Sequence, residues 1–190
     1  MSDLVIFDLG GVLVRGIGIV DRMADELAVD RQALKADYLL HLDAMMAGLF
    51  PVEAYYRHLE ERFRVKVEGD LFRRAFKPTV NGKMVELADT LCGDGMRCAI
   101  GSNTYLSHWH IIDEEGIREH FDAAYASFEL GTVKPYAAFW ATIMCLEGVD
   151  ASHTHFIDDS PANVEGAARL GIDAWLYDGD DEALWRHFGH

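Results

Sequence analysis

The sequence predicts an α/β protein: a parallel sheet flanked by helices, interrupted after its first strand by a helical insert. Three observations carry that reading. Short apolar runs alternate with helical patterns from residue 81 to 178, the rhythm of a parallel α/β sheet. A further buried-looking run, LVIFD at 4–8, opens the chain. Between them, residues 15–80 carry helical periodicity and no strand pattern of useful length.

Taken in order, the first strand, Leu4-Val5-Ile6-Phe7, stops at a carboxylate, Asp8, and two glycines and a second apolar run follow. The insert reads as helices through VDRMADELAV, RQALKADYLLHLDAMMAG, PVEAYYRHLEERFRV and GDLFRRAFK. NGKMVELADTLCGDG then offers Asn81 as an N-cap and glycine at its end. The strand RCAIGS (97–102) leads to the helix TYLSHWHIIDEEG, closed by Gly116. After a weaker strand, AAYAS (123–127), KPYAAFWATIMCLEG has Pro135 at a first helical position and Gly148 at its end. HTHFID (153–158) precedes SPANVEGAARLG, with Ser160 as N-cap, Pro161 at the first helical position and Gly171 as the stop. IDAWLY (172–177) is the last strand.

Composition narrows the function. The 190 residues hold 32 acids against 17 lysines and arginines, a formal charge of −15, which argues against nucleic acid or an anionic membrane as partner. An anionic small substrate then needs a local positive charge or a metal. Cys92, Cys98 and Cys145 are odd in number and lack metal-ligand spacing, as expected of reduced thiols in a cytoplasmic protein. The N-terminus opens directly into a strand with no signal peptide, and no apolar run approaches the roughly 18 residues of a membrane span.

In open α/β sheets ligands sit beyond the carboxyl ends of the strands. Those ends are Asp8, Ser102-Asn103 and Asp158-Asp159, and Lys134 precedes the helix after the weak strand. Singly, Asp8 would cap a turn, Ser102 would start a helix and Lys134 would be a solvated loop residue. Adjacent acids at the end of an apolar strand repel each other, which a structural role rarely tolerates without a cation. Together the four features suit phosphoryl transfer through a carboxylate nucleophile. Asp8 attacks phosphorus, Mg²⁺ on oxygen ligands offsets the charge, and Lys134 and the Ser102 hydroxyl hold the phosphoryl oxygens.

At these residues the sequence resembles the haloacid dehalogenase-like (HAD) hydrolases. FDLGGVL, AIGSNT, ELGTVKP and FIDDSPANVEGAARLG stand in the order of that family's four motifs. The resemblance implies a Rossmann-like core over 1–14 and 81–190 with a helical C1 cap at 15–80. It implies Asp8 as nucleophile, and Ser102 and Lys134 as phosphate-binding residues; Asn103, next to Ser102, could contact the phosphate by its amide. It further implies Mg²⁺ on Asp8, the Gly10 backbone carbonyl and Asp159, with Asp158 in the second shell or acting through water. Asn163 would orient the acid loop.

Typical phosphatases of that family carry a second aspartate where this chain has Gly10. It protonates the leaving group, help worth roughly 10²–10⁴-fold. The start DLGGV, the SNT and the LGTVKP resemble the branch containing sugar-1-phosphate phosphatases and the phosphatase domain of epoxide hydrolase. The expectation is a Mg²⁺-dependent phosphatase for a small phosphorylated metabolite, such as a sugar phosphate, with a good leaving group. A 2-haloacid dehalogenase, whose halide leaves without a proton, and a non-catalytic binding module remain as alternatives. The dehalogenases of the family need no Mg²⁺, so the acid pair disfavours that reading. In the insert, Arg15, His41, Arg64, Arg73 and Arg74 could reach a substrate, and His108 and His110, two apart on a helix, do not share a face.

Overall fold

The structure, a computed structural model, describes residues 2–189. The chain runs β1 (Leu4–Phe7), β2 (Val14–Arg15), α1 (Val20–Leu27), α2 (Arg31–Met46), α3 (Val52–Phe63), α4 (Leu71–Ala75) and β3 (Thr79–Val80). It continues as α5 (Gly82–Gly93), β4 (Arg97–Ser102), α6 (Leu106–Glu114), β5 (Ala123–Ala126), α7 (Ser127–Leu130) and α8 (Ala137–Glu147). The last elements are β6 (Thr154–Asp158), α9 (Pro161–Ala168), β7 (Asp173–Leu176) and α10 (Asp181–His187).

Five strands form a parallel sheet in the order β5-β4-β1-β6-β7, flanked by helices in a Rossmann-like arrangement. All four residues of the central strand β1 are fully buried. Their alternation feeds both faces: Leu4 and Ile6 pack with Trp140, Phe139 and Phe156, while Val5 and Phe7 join the cluster that includes Leu87, Leu91 and Ile112. Each such side chain contributes roughly 1.5–3 kcal/mol by leaving water.

The second cluster runs on without a break into the helices between β2 and β3, through Met23, Leu34, Tyr55, Leu59 and Phe72. Local signals set those helices. Asp30 caps α2 by accepting from the Ala33 N–H at 2.8 Å, and Asp70 caps α4 by accepting from Arg73 N–H at 2.9 Å. Beneath the surface, hydrogen bonds tie this layer to the sheet side. The Tyr38 and Tyr105 hydroxyls share one at 2.7 Å, and the Ser127 hydroxyl donates to the Met46 carbonyl at 2.6 Å.

The structure departs from the sequence reading in three places. Residues 14–15 and 79–80 pair as a two-residue antiparallel ribbon where the chain enters and leaves the helical layer. Two residues are too few for a period-2 signature, so no strand was expected between 15 and 80. Pro135 does not open α8: the chain first turns, with Tyr136 N–H donating to Val133 at 3.0 Å, and the helix begins at Ala137. Asn81 and Ser160 do stand at N-cap positions, yet neither side chain caps its helix. Asn81 Nδ2 donates instead to the Val12 carbonyl and the Tyr177 hydroxyl, fixing the end of the ribbon. No described helix is long and apolar enough to cross a membrane.

Candidate active site

β1 lies between β4 and β6, so the sheet itself brings three expected residues together. Asp8 follows β1, Ser102 closes β4 on one side and Asp158 closes β6 on the other. Lys134 arrives from the loop between α7 and α8 and is buried beneath them. Its Nζ donates to Asp8 Oδ1 at 2.6 Å, Asp158 Oδ2 at 2.7 Å and the Gly101 carbonyl at 2.9 Å. All three of its protons are thereby used, and the ammonium sits between two carboxylates.

Two asparagines hold this arrangement. Asn103 donates from Nδ2 to the Lys134 carbonyl at 2.9 Å and accepts the Lys134 N–H on Oδ1 at 2.8 Å. Its amide thus fixes the lysine loop, leaving its second amide proton and its backbone N–H for a ligand. Asn163 Nδ2 lies 3.0 Å from both Asp158 oxygens, and the Ser160 N–H donates to Asp158 Oδ1 at 2.8 Å. Asn163 therefore orients the acid loop, as the sequence suggested. Asp158 is fully buried and saturated with donors. No described side chain hydrogen-bonds to the Asp159 carboxylate, and no described backbone N–H uses the Gly10 carbonyl.

Charge follows from this geometry. Burial pushes the Asp8 carboxyl up to about 7, with Lys134 pulling it back and Asp158 adding to the rise. Burial also works against the Lys134 charge, but Asp8 and Asp158 outweigh it and hold its pKa above the ordinary lysine value. Partial burial, and after it the Asp158 charge, raise the Asp159 carboxyl. Asp8, Asp158 and Asp159 each present an oxygen within 4.8 Å of the others. Three acids against one lysine, all offering oxygen, form a donor set that fits a hard divalent cation. Gly11 makes room for it: at φ +83 its position would place a Cβ 1.9 Å from Asp159 Oδ2.

A cavity of about 390 Å³ opens from Gly10, Ser102 and Asn103 beneath the helical layer. Ile17, Ile19, Leu42, Met46, Phe76 and Tyr105 form most of its wall, with Asp21 and Lys35 at its rim. His108 also lines it, stacked on Phe76 at 4.0 Å, and burial lowers its pKa to about 4. His110 points elsewhere, toward a surface groove beside Tyr56 and Asp70.

The five candidates from the insert do not line this cavity. Arg73 pairs with Glu114 and Arg74 with Glu26 at the surface, and His41 packs against His58 beside Asp37. The residues sequence reasoning missed are Ile17, Lys35 and Tyr38 on the wall, and Ser127 behind it. Ser127 accepts the Thr104 N–H at 3.0 Å while bonding to Met46. Only the fourfold and sevenfold spacing of Lys35, Leu42 and Met46 along α2 marks that wall beforehand, as one face of a helix.

Solved structures share this fold over its full length. A HAD-like family hydrolase from Porphyromonas gingivalis matches all of this chain and 99% of its own, at 25% identity and a TM-score of 0.82. A HAD family enzyme from Bacteroides thetaiotaomicron, solved with magnesium and inorganic phosphate, matches 100% of both chains at 22% identity and a TM-score of 0.81. An L-2-haloacid dehalogenase matches 93% of this chain and 86% of its own, at 18% identity and a TM-score of 0.68. The family model for haloacid dehalogenase-like hydrolases matches residues 2–171. The chain therefore belongs to the haloacid dehalogenase-like hydrolases, and it is an enzyme of that family.

Proposed function

We propose that this hydrolase is a Mg²⁺-dependent phosphatase acting on a small phosphate monoester through an aspartyl-phosphate on Asp8. The observation that carries the reading is the Asp8–Lys134–Asp158 arrangement at the centre of the sheet edge, beside Asp159 and open to the cavity through Gly10 and Ser102. An Asp8 oxygen bonds to phosphorus while the bond from phosphorus to the leaving oxygen breaks, its electron pair departing with that oxygen. Water then attacks the same phosphorus, freeing the Asp8 carboxylate and inorganic phosphate. Lys134 offsets the negative charge that gathers around Asp8. Ser102 donates from its hydroxyl and Asn103 from its backbone N–H to the phosphoryl oxygens.

Mg²⁺ on Asp8, Asp159 and the Gly10 carbonyl, with Asp158 behind them, would supply the remaining positive charge. The magnesium and phosphate of the Bacteroides neighbour support that choice of ion and ligand. In the same reading, residues 15–80 are a cap over a core of 1–14 and 81–190, and the enzyme meets its metabolite in the cytoplasm. The acid pair, redundant in a metal-free dehalogenase, favours phosphatase over dehalogenase. Phosphate release should require both Mg²⁺ and Asp8, being abolished by EDTA and by Asp8→Asn. Chloride release from 2-chloropropionate without phosphatase activity would reverse the assignment.

A further inference from the structure

The cavity beside Asp8 has a mostly apolar wall. The Tyr38 and Tyr105 hydroxyls are engaged with each other at 2.7 Å and the Asn103 amide holds Lys134, which leaves the Ser102 and Thr104 hydroxyls, the remaining Asn103 donors and the buried His108 Nε2 as its few open polar groups. The several hydroxyls of a sugar, buried against Ile17, Ile19, Leu42 and Met46, would lose their water and outnumber the partners left to replace it. An aromatic ring meets no such penalty. A cavity of ~150 Å³ admits benzene, so about 390 Å³ has room for a phosphate and one substituted ring.

Protonation points the same way, independently of the wall's polarity. A side chain starting at Gly10 would meet Ile17 Cδ1 at 2.6 Å, so an apolar methyl occupies the space that a side chain at this position would take. Among the described lining residues the titratable groups are Asp21, Lys35, Tyr38, Tyr105 and His108. Asp21 and Lys35 stand on the exposed rim. Burial pushes both tyrosines up and lowers His108 to about 4, so the imidazole carries no acidic proton at neutral pH. The departing oxygen is left without an acid. It must leave as a stabilised anion and take its proton from water afterwards.

Resting on the phosphatase reading, we propose that this cavity is a leaving-group pocket for an aromatic alcohol, making the substrate an aryl phosphate monoester. Asp8 bonds to phosphorus, the bond to the aryl oxygen breaks, and the phenolate departs with the electron pair before protonation by solvent.

The test is Mg²⁺-supported phosphate release from phenyl phosphate, O-phosphotyrosine, a series of ring-substituted phenyl phosphates, glucose 1-phosphate, glucose 6-phosphate and acetyl phosphate. The proposal expects aryl kcat/KM to exceed that of either sugar phosphate by on the order of 10²-fold. It also expects a steep rise across the substituted series as the phenol becomes more acidic. Leu42→Asn, on the half-buried wall, should lower the ratio of aryl to acetyl phosphate turnover by about tenfold. Asp8-dependent turnover that favours a sugar phosphate, or is flat across the phenols, overturns the aryl assignment and leaves the phosphatase standing. Phosphate release that survives Asp8→Asn, or is absent from every compound, removes the phosphatase reading and this one with it.

Discussion

Asp8→Asn should make the metal-free protein more stable at pH 8 than the parent, while abolishing turnover. The buried Asp8 carboxyl stands at about 7 against an ordinary value of 3.8. Between those two pH values the native state holds more protons than the unfolded state, so Asp8 costs stability progressively as pH rises from about 4 to about 7. Each decade of that change is worth about 1.4 kcal/mol, so its three decades give a ceiling of about 4 kcal/mol above pH 7. The pull of Lys134 on the carboxylate is already contained in that shift, and the amide oxygen still accepts from Lys134. The amide's advantage above pH 7 is therefore at most about 4 kcal/mol, a rise of no more than roughly 8–16 °C in Tm for a chain of this size. Thermal melts of both proteins in EDTA at pH 4, 6 and 8 read it directly, because other carboxyls cancel in the difference. The advantage should be full at pH 8 and absent at pH 4. An equal or lower Tm for Asp8→Asn at pH 8 would refute the claim that burial, rather than the Lys134 charge, governs this carboxyl.

Lys134→Met leaves the Asp8 and Asp158 carboxylates facing each other in a buried site, and urea unfolding at pH 8 should show a loss of about 3–5 kcal/mol. The loss should shrink at pH 5, where Asp8 takes up a proton. Gly11→Ala, in a left-handed backbone and aimed at Asp159 Oδ2, should cost about 1–2 kcal/mol in stability. It should also weaken Mg²⁺ binding by calorimetry at least tenfold; unchanged affinity would remove Asp159 from the ligand set. Gly10→Asp meets only the movable end of Ile17, so it should fold, and it should raise turnover of poor leaving groups more than good ones, by up to about 10²-fold. An equal effect on both would detach the missing acid from leaving-group preference.

The catalytic edge was legible because each of its residues sits where a short apolar run ends. Asp8, Ser102 and Asp158 need only strand boundaries and the rule that ligands gather at the carboxyl edge. Lys134 was legible from its place before a helix, but its three partners were not. Gly101 and Asp158 meet it only after β4 and β6 flank β1. The amide roles diverged for the same reason. Asn163 lies five residues from the carboxylate it holds, a local relation that a helix start fixes. Asn103 binds a backbone 31 residues away, which no local pattern reveals. The wall of the cavity was least legible. Arg73 and Arg74 read equally as substrate contacts or as a solvated helix face, and the docking of α4 turns them toward Glu114 and Glu26. Ile17, in a stretch without regular structure, becomes decisive only because the ribbon of 14–15 and 79–80 brings it over Gly10.

The most direct test of the account is to acid-quench the enzyme during turnover of 4-nitrophenyl phosphate with Mg²⁺ and locate any phosphoryl group by peptide mass analysis. The account predicts a phosphoryl group on Asp8, lost in EDTA and in Asp8→Asn. Steady phosphate release from an enzyme never phosphorylated there would contradict it.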